Sequence, residues 1–404
     1  MNRPHVVVSN YDDIGNPHYG GGGAVVVGQI ARRLARDFRV TVYTGSYRGS
    51  GRSQVRDGVR YVFLPVGWAG PRGGQLVFMA LLPLVALLRR PDLWIESVTP
   101  PVSASPLPLF ARCPVVALVQ MLCGADMGRR YKLPFAAIER RTLRLYGHFV
   151  VLNETDRETV QAANRRASVT VIPNGIARPP DADLAYGAGE HILFLGRVDV
   201  RQKGLDLLLG AVPADCPLPV VIAGGGTQQE EARLKALLPE GDDRVRFVGR
   251  VDGERKEDLL RRCAFMVVPS RYETFCLSAL EAMAHGKPVV HFELPQLAWI
   301  GAGSGIAVRA FDGDELAAAV ARLVHDGSLR ARLGRGARDR SAAYDAALTG
   351  DRYRTLVAEL LASPGWGQHP PGTGERRAGR GRTPSSRRAR RATLSRSRAE
   401  GRTR

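Results

Sequence analysis

The chain has 404 residues, of which 44% are hydrophobic, and a net charge of +19. This length exceeds one ordinary domain, and the composition supports two sizeable cores, which excludes a largely disordered chain. The five cysteines are scattered without a C-x-x-C pair. They therefore suggest neither a disulfide framework nor a zinc site and favour reduced, cytosolic thiols.

Short apolar strands alternate with helical patterns along the N-terminal half. The first strand pattern, at residues 5–9, is too short for a signal peptide. Further strands are predicted at 40–44, 59–63, 93–97, 115–119 and 148–152, and helices at 24–36 and 138–146. Apolar strands without alternation are typical of a parallel sheet that helices cover on both faces.

The longest apolar stretch of the chain covers residues 76–88 and contains Pro83. A membrane-spanning helix needs about 20 apolar residues, so we do not expect this segment to cross a bilayer. Arg72 on one side and Arg89 and Arg90 on the other suit a helix that lies on an anionic membrane surface. A helix packed in the core is an equal alternative.

The second half repeats the strand pattern at 192–194, 220–223, 245–247, 265–268 and 288–291. Between the two halves, Asn174 and Gly175 lie among prolines, as expected of a linker, and predict a tight turn with positive φ. The sequence thus predicts an α/β protein with two tandem Rossmann-like domains facing a cleft. The predicted segments are an N-terminal domain at 1–168, a C-terminal domain at 169–340, a helix at 341–362 packing back towards the N-terminal domain, and a tail at 363–404.

The tail is the most basic part of the chain, with twelve arginines, no lysine and two glutamates. Such a segment cannot bury enough surface to offset its ordering entropy, so we expect it to be disordered. Its charge predicts salt-dependent affinity for polyanions, including anionic membranes. Because no aromatic residues interleave with the arginines, specific nucleic-acid binding is not expected.

Residues 267–290 form the most informative motif. A buried strand ends at Pro269, a loop containing Glu273 follows, and a helix begins near Phe275. Glu281, two turns along, can accept two hydrogen bonds from a ribose diol, and Glu273 is placed to meet sugar hydroxyls. Free backbone N–H groups at the helix start would attract a phosphate. The residues concerned are Thr274, Phe275, Cys276 and Leu277.

A second motif places two cations around one turn after the strand at 192–194. Gly196 breaks the strand, Arg197 follows at once, and Lys203 lies six positions later. The planar fork of an arginine and the point charge of a lysine can together hold a diphosphate. These contacts strengthen as the departing diphosphate gains charge.

Glycine-rich loops supply the remaining candidates. Gly21, Gly22 and Gly23 precede the helix at 24–36 and would let the backbone approach a phosphate or a sugar closely. A merely flexible loop is the alternative. Arg250 follows the strand at 245–247, where a simple strand-end turn is equally consistent with the sequence.

The spacing Glu273-x7-Glu281, with Pro269-Ser270 before it and Glu-Ala-Met-Ala-x-Gly-x-Pro-Val from Glu281 onward, resembles the signature of the family-4 glycosyltransferases. The Gly-Arg…Lys-Gly stretch from Gly196 is similar to a second motif of that family. Gly21 and Gly22 align with its N-terminal glycine pair. The resemblance covers the C-terminal half motif by motif, and the N-terminal half in its glycine loop and general architecture.

The resemblance implies the GT-B fold and a retaining, metal-independent hexosyltransferase that uses no cofactor. Its catalytic residues would be Glu273, Arg197 and Lys203, with Gly196, Arg250 and Glu281 among the donor-binding residues. The donor would be a UDP-, GDP- or dTDP-linked sugar, and the acceptor a glycan, a lipid-linked glycan or a small molecule. The reaction would be a front-face substitution in which Arg197 and Lys203 take the electrostatic role of a metal.

The apolar segment at 76–88 favours a lipid-linked or membrane-proximal acceptor, and hence a cytoplasmic protein peripheral to the inner face of the membrane. Gln120 departs from the family pattern, because members often carry a histidine there that meets the donor sugar. The loop after Val290 also lacks the usual Gly-Gly pair. The alternatives are a catalytically silent glycosyltransferase-like binding protein and a nucleotide-sugar epimerase of the same architecture.

Overall fold

The computed structural model describes most of the chain up to Ser363. The described residues are 3–16, 21–98, 105–122, 124, 128, 132, 134–213, 215–238, 241 and 244–363, and for Pro71, Arg72 and Asp183 only the backbone is described. Apart from Ser363, the predicted arginine-rich tail lies outside the described residues.

The N-terminal part forms one large sheet. Its strands are β1 (His5–Ser9), β2 (Arg39–Gly45), β3 (Ser53–Arg56), β4 (Val59–Leu64), β5 (Leu93–Val98), β6 (Val115–Val119), β7 (His148–Val151) and β8 (Ser168–Val171). The order is β3-β4-β2-β1-β5-β6-β7-β8, and all neighbours are parallel except the antiparallel pair β3–β4. The parallel sheet confirms the predicted fold class.

Helices cover both faces of this sheet. They are α1 (Gly22–Leu34), α2 (Gly70–Leu88), α3 (Phe135–Leu143) and α4 (Glu154–Ala163). On one face, Ile30 and Leu34 of α1 pack in a core with Val6 and Val8 of β1. Residues of α2 join the core on the opposite face. Burial on both faces explains why the central strands are continuously apolar.

The C-terminal part forms a second sheet, which is entirely parallel. Its strands are β9 (His191–Leu195), β10 (Val220–Ala223), β11 (Val245–Gly249), β12 (Cys263–Val268), β13 (Val289–Phe292) and β14 (Gly305–Val308), in the order β11-β10-β9-β12-β13-β14. The helices are α5 (Leu205–Ala211), α6 (Gln228–Leu237), α7 (Gly253–Arg262), α8 (Leu277–Ala284), α9 (Gly313–His325) and α10 (Gly327–Ser341). Two parallel sheets in tandem are the predicted architecture.

The last described helix, α11 (Ala346–Ala362), contacts α1 of the N-terminal part. Tyr353 and Val357 are buried in the core beneath α1, and Arg33 of α1 forms an ion pair with Asp351. The chain therefore crosses twice between the two sheets. At the other end of the seam, β8 straddles the predicted boundary at residue 169 and pairs with β7 of the first sheet.

The predicted positive φ at the Asn174-Gly175 turn is wrong, because neither residue lies among those with positive φ. The glycine is needed for a different reason. A Cβ on Gly175 would lie 2.5 Å from Thr349 Oγ1 and 2.9 Å from the Asp345 carbonyl oxygen. Close packing against the start of α11 therefore requires glycine at this crossover.

Two buried cations fix the linker between the sheets. Lys287, 1% exposed, donates from Nζ to the carbonyl oxygens of Ala185 and Ala188 at 3.1 and 3.3 Å, and desolvation lowers its pKa. Arg338 of α10 donates to Asp181 Oδ1 at 2.6 Å. None of the helices in the described part of the chain is long and apolar enough to span a bilayer.

Candidate functional site

The loop at residues 269–276, between β12 and α8, lies at the carboxyl end of the second sheet and touches the N-terminal part directly. Tyr272 Oη donates to the Leu122 carbonyl oxygen at 2.9 Å, just beyond β6. Asn153 Nδ2, at the start of α4, donates to the Thr274 carbonyl oxygen at 3.2 Å. Ligands of parallel α/β folds bind outside the carboxyl ends of strands, so this loop marks the expected place for a site.

Lys203 and Glu273, both predicted as catalytic, form an ion pair in this loop region. Lys203 Nζ lies 2.5 Å from Glu273 Oε1, and the side chains are 17% and 7% exposed. Ser270 Oγ donates to the same oxygen at 2.7 Å. A largely buried carboxylate thus receives two charge-assisted hydrogen bonds, which fix its position. The proline-serine pair before the loop was part of the sequence motif, but the role of Ser270 was missed.

A glycine in the left-handed region places Lys203 beside the loop. Gly204 has φ +65° and precedes α5, and a Cβ there would collide with the Pro269 carbonyl oxygen. Only glycine therefore lets the turn at 199–204 pack against the end of β12. This close approach brings Lys203 within reach of Glu273.

Arg197 lies on the same turn but has a different partner. Its side chain is exposed, and Nη2 donates to Gln202 Oε1 at 2.8 Å. Gly196 is held at the strand end by donating its N–H to the Ala223 carbonyl oxygen at 3.0 Å. Two cations thus flank one turn at the carboxyl end of β9, as predicted from the sequence, with Gln202 as an additional member.

The backbone at the start of α8 lies next to the Lys203–Glu273 ion pair. Cys276 has φ +63° and precedes the helix, and desolvation raises the pKa of its thiol to about 12. Phe275 is only 2% exposed, stacks on Trp299 with ring centroids 4.7 Å apart, and accepts a 2.9 Å hydrogen bond from Trp299 Nε1 through its carbonyl oxygen. Contacts from Phe275 to a ligand would therefore come through its backbone.

The glycine run of the N-terminal part meets the start of α8, and Gly22 and Gly23, predicted to precede the helix, form the first residues of α1. A Cβ on Gly22 would lie 2.7 Å from Leu277 Cδ1. Gly21 precedes α1, and its N–H donates to Asp12 Oδ2 at 3.0 Å. A Cβ on Gly23 would meet nothing within 4 Å. The structure thus brings the predicted residues of the two halves together, with Gly22 as the glycine that close packing requires.

Glu281, on the second turn of α8, is paired with a cation that sequence reasoning missed. Lys256 Nζ of α7 donates to Glu281 Oε1 at 2.8 Å, and the two side chains are 27% and 23% exposed. His285 Nδ1 lies 2.8 Å from the Glu281 carbonyl oxygen, and its Nε2 lies 3.0 Å from Glu257 Oε2. Arg250 is exposed beside the glycine loop after β10, with its Cβ 3.4 Å from a Cβ on Gly225.

Gln120 lies at the end of β6, where the family pattern has a histidine. It is 9% exposed, and its backbone N–H donates to the Val98 carbonyl oxygen at 3.2 Å. In the part of the chain that the structure describes, Gln120 Nε2 has no hydrogen-bond partner. A buried donor without a partner is costly, so this amide has capacity for a ligand.

Among the described residues, no group of three or more His, Cys, Asp or Glu side chains is placed to hold a metal ion. Asp181 of the linker is 85% exposed, and its partner is Arg338. The two carboxylates of the site, Glu273 and Glu281, are each paired with a lysine.

Two family models match this chain. Residues 189–326 match the model described as glycosyl transferases group 1, and residues 21–175 match the glycosyl transferase 4-like domain. Together they include the site loops of both sheets and all the predicted site residues.

Curated relatives match over part of their length. A glycogen synthase of Mycobacterium tuberculosis is 36% identical over 187 residues, which is 43% of this chain and 44% of that protein. A phosphatidyl-myo-inositol mannosyltransferase of Mycolicibacterium smegmatis is 34% identical over 186 residues, covering 43% of this chain and 47% of that protein. The match thus spans less than half the length of either relative.

Solved structures share the fold over most of the chain. Sucrose-phosphate synthase from Thermosynechococcus elongatus has a TM-score of 0.74 at 22% identity, covering 89% of this chain and all of that one. The Anabaena protein HepE in complex with UDP-glucose has a TM-score of 0.65 at 16% identity, covering 88% of this chain and 99% of that one. At these identities the likeness shows the fold alone.

Proposed function

Because the chain belongs to the group 1 glycosyltransferases and has two tandem Rossmann-like domains of the GT-B type, we propose that it is a retaining hexosyltransferase. The donor is a nucleotide diphosphate sugar, and the acceptor is a glycan, a lipid-linked glycan or a small molecule. The observation that carries this proposal is the Lys203–Glu273 ion pair in the loop before α8, with Arg197 on the turn that carries Lys203.

The diphosphate, the sugar and the ribose of the donor each have a complementary part of the site. Lys203, Arg197 and the first N–H groups of α8 form a positive environment for the diphosphate. Both hydrogen bonds to Glu273 are made to Oε1. We therefore assign Oε2 to a sugar hydroxyl. Glu281, on the second turn of α8, accepts hydrogen bonds from the ribose diol, while Lys256 keeps the Glu281 carboxylate oriented.

The reaction follows from this arrangement. The bond between the anomeric carbon and the diphosphate oxygen breaks while the acceptor oxygen bonds to the same face of that carbon. The acceptor proton passes to the departing diphosphate, whose growing charge is stabilised by Lys203 and Arg197. Neither carboxylate is required as a nucleophile, because the acceptor oxygen bonds to the anomeric carbon directly. The same two cations would make a metal ion unnecessary.

Gln120 favours one second candidate, a glycosyltransferase-like protein that binds nucleotide sugars without transferring them. A glutamine can donate and accept hydrogen bonds but cannot shuttle a proton at neutral pH. In the proposed mechanism the diphosphate takes the proton, so Gln120 needs only to hydrogen-bond the sugar. Donor hydrolysis or transfer by the wild-type protein would therefore separate the two candidates.

The first test is calorimetric titration in EDTA with glucose and mannose esters of UDP, GDP and dTDP. We expect selective binding of one nucleotide, a loss of about tenfold or more in Glu281→Ala, and no change in Lys235→Met. Lys235 is an exposed lysine of α6 and serves as the matched surface control. Failure of the folded wild-type protein to bind any of these donors would contradict the proposal. The product's anomeric configuration, read by NMR, tests retention.

A further inference from the structure

Helix α2 presents an apolar face to solvent. Leu76, Leu84, Leu87 and Leu88 are 51%, 54%, 45% and 82% exposed, and with exposed Ala80 they follow helical spacing along one side. The opposite side, with Gly74, Phe78, Leu82 and Ala86, is buried on the sheet. A surface helix of a water-soluble domain normally has a polar outer side. This outer face of α2 (residues 76, 80, 84, 87 and 88) therefore calls for an apolar partner.

Further exposed apolar side chains lie on two short turns that contact α2. Trp68, in the turn before the helix, is 80% exposed, and its Nε1 donates to the Pro65 carbonyl oxygen at 3.0 Å. Leu109 and Phe110, 52% and 39% exposed, lie at a second short turn that also contacts α2. Exposed apolar side chains thus occur at both turns as well as on the helix.

The charged residues nearest to this surface in the sequence are mostly basic. Arg89 and Arg90 are exposed directly after α2, and exposed Arg112 follows Phe110. Between Asp57 and Asp92 the sequence contains no acidic residue. Arginines beside exposed leucines and a tryptophan match the anionic headgroups and acyl chains of a bilayer surface, whereas a protein groove offers no such uniform negative charge.

We propose that the outer face of α2, with Trp68 and Arg89–Arg90, docks the protein peripherally on an anionic lipid bilayer. The helix lies in the interface and does not span it. α2 runs from the carboxyl edge of the first sheet, where Trp68 precedes it and Leu122 meets Tyr272, towards the amino edge, where Arg89 and Arg90 precede β5. Resting on the proposed transfer reaction, this placement brings the cleft beside the membrane and assigns the acceptor to lipid-linked glycans.

The test is sedimentation of the full-length protein with vesicles of phosphatidylcholine alone and with 30% phosphatidylglycerol. Leu84→Gln/Leu88→Gln should lower the partition coefficient on anionic vesicles about tenfold or more. Arg89→Ser/Arg90→Ser should lower it by a similar factor at low salt and much less at high salt. Leu237→Gln/Leu348→Gln, which changes two exposed leucines on α6 and α11, is the matched control and should bind as wild type.

Trp68 gives an independent readout of the same contact. Brominated lipid should quench the tryptophan fluorescence of the wild-type protein more than that of Trp68→Phe. In the Leu84→Gln/Leu88→Gln background, adding Trp68→Phe should no longer change the quenching. Equal vesicle binding by wild type and by both α2 variants would assign binding to the arginine-rich tail and overturn the proposal. Absence of vesicle binding would also overturn the proposal, whether or not the protein forms a dimer that the leucine substitutions dissociate. Donor calorimetry on the same variants should be unchanged, which separates failure of this surface from failure of the proposed function.

Discussion

Lys256 Nζ lies 2.8 Å from Glu281 Oε1, so a cation of α7 holds the carboxylate that we assign to the donor ribose. A carboxylate has about four acceptor positions, which lets Glu281 bind the lysine and a diol together. The pair is partly exposed, so its effect on stability is small. The role of Lys256 is to orient Glu281, so its removal should affect nucleotide recognition.

Lys256→Met should weaken binding of the nucleoside diphosphate by about three- to tenfold, because Glu281 loses the partner that orients it. Binding of the 2′,3′-dideoxy analogue should change little, since that analogue cannot use Glu281. Calorimetry with both ligands measures the two effects, and Lys235→Met is the surface control. If Lys256→Met left both affinities unchanged while Glu281→Gln lowered the first, Lys256 would have no part in ribose recognition.

Lys203→Met should destabilise the fold by about 2 kcal/mol, because it leaves the largely buried Glu273 carboxylate without its cation. Lys203→Met/Glu273→Gln should recover part of that stability, since the uncompensated charge is gone. Donor affinity and turnover should stay low in both variants. Urea unfolding and donor titration measure the two quantities. Recovery of donor affinity in the double variant would show that the pair is only structural.

Trp299→Phe tests how the loop before α8 is held. The substitution keeps an aromatic ring to stack on Phe275 but removes the 2.9 Å hydrogen bond to its carbonyl oxygen. We expect a loss of about 1 kcal/mol in stability and a severalfold rise in KM for the donor, with a smaller change in kcat. Trp299 would then be a positioning residue. A KM equal to that of wild type would limit Trp299 to packing.

Most strands that the sequence predicted are buried on both faces, the exceptions being β4 and β11, in which Arg60 and Arg246 are exposed. The missed strand β3 has exposed residues at alternate positions, and β8 is at best half-buried, so neither has the apolar run of a central strand. The edge strand β14 is short and starts at a glycine. Its burial depends on α9, which follows it in the chain, and a local pattern does not contain that information.

Among the predicted site residues, Lys203 and Glu273 are 70 positions apart in the sequence and meet as an ion pair. The two motifs implied these residues but not their contact, which depends on Gly204 packing against Pro269. Lys256 and Asn153 were missed because each lies outside the motifs and reaches the site only through the tertiary fold. For Phe275, the sequence could not distinguish a backbone role from a side-chain role.

Glu96 of β5 is a buried acid that makes the stability of the N-terminal sheet depend on pH. It is 3% exposed and accepts a 2.7 Å hydrogen bond from Tyr146 Oη, and desolvation raises its pKa to about 7. Since this pKa is higher in the folded state than in the unfolded state, folding favours the protonated form. The contribution of Glu96 to stability therefore decreases as the pH rises from about 4.5 to about 7 and is constant above that.

Glu96→Gln should remove this dependence, because the amide oxygen can still accept from Tyr146 and carries no charge. At about 1.4 kcal/mol per pKa unit, the free energy of unfolding of the variant relative to wild type should rise by about 2–3 kcal/mol between pH 5 and pH 8. Urea unfolding at both pH values measures the difference, and other titrating groups cancel between the two proteins. Glu158→Gln, at an exposed position of α4, is the control and should show no such rise. An equal difference at the two pH values would mean that Glu96 is ionised in the fold at pH 5, so that its burial would have to be compensated by the hydrogen bond from Tyr146.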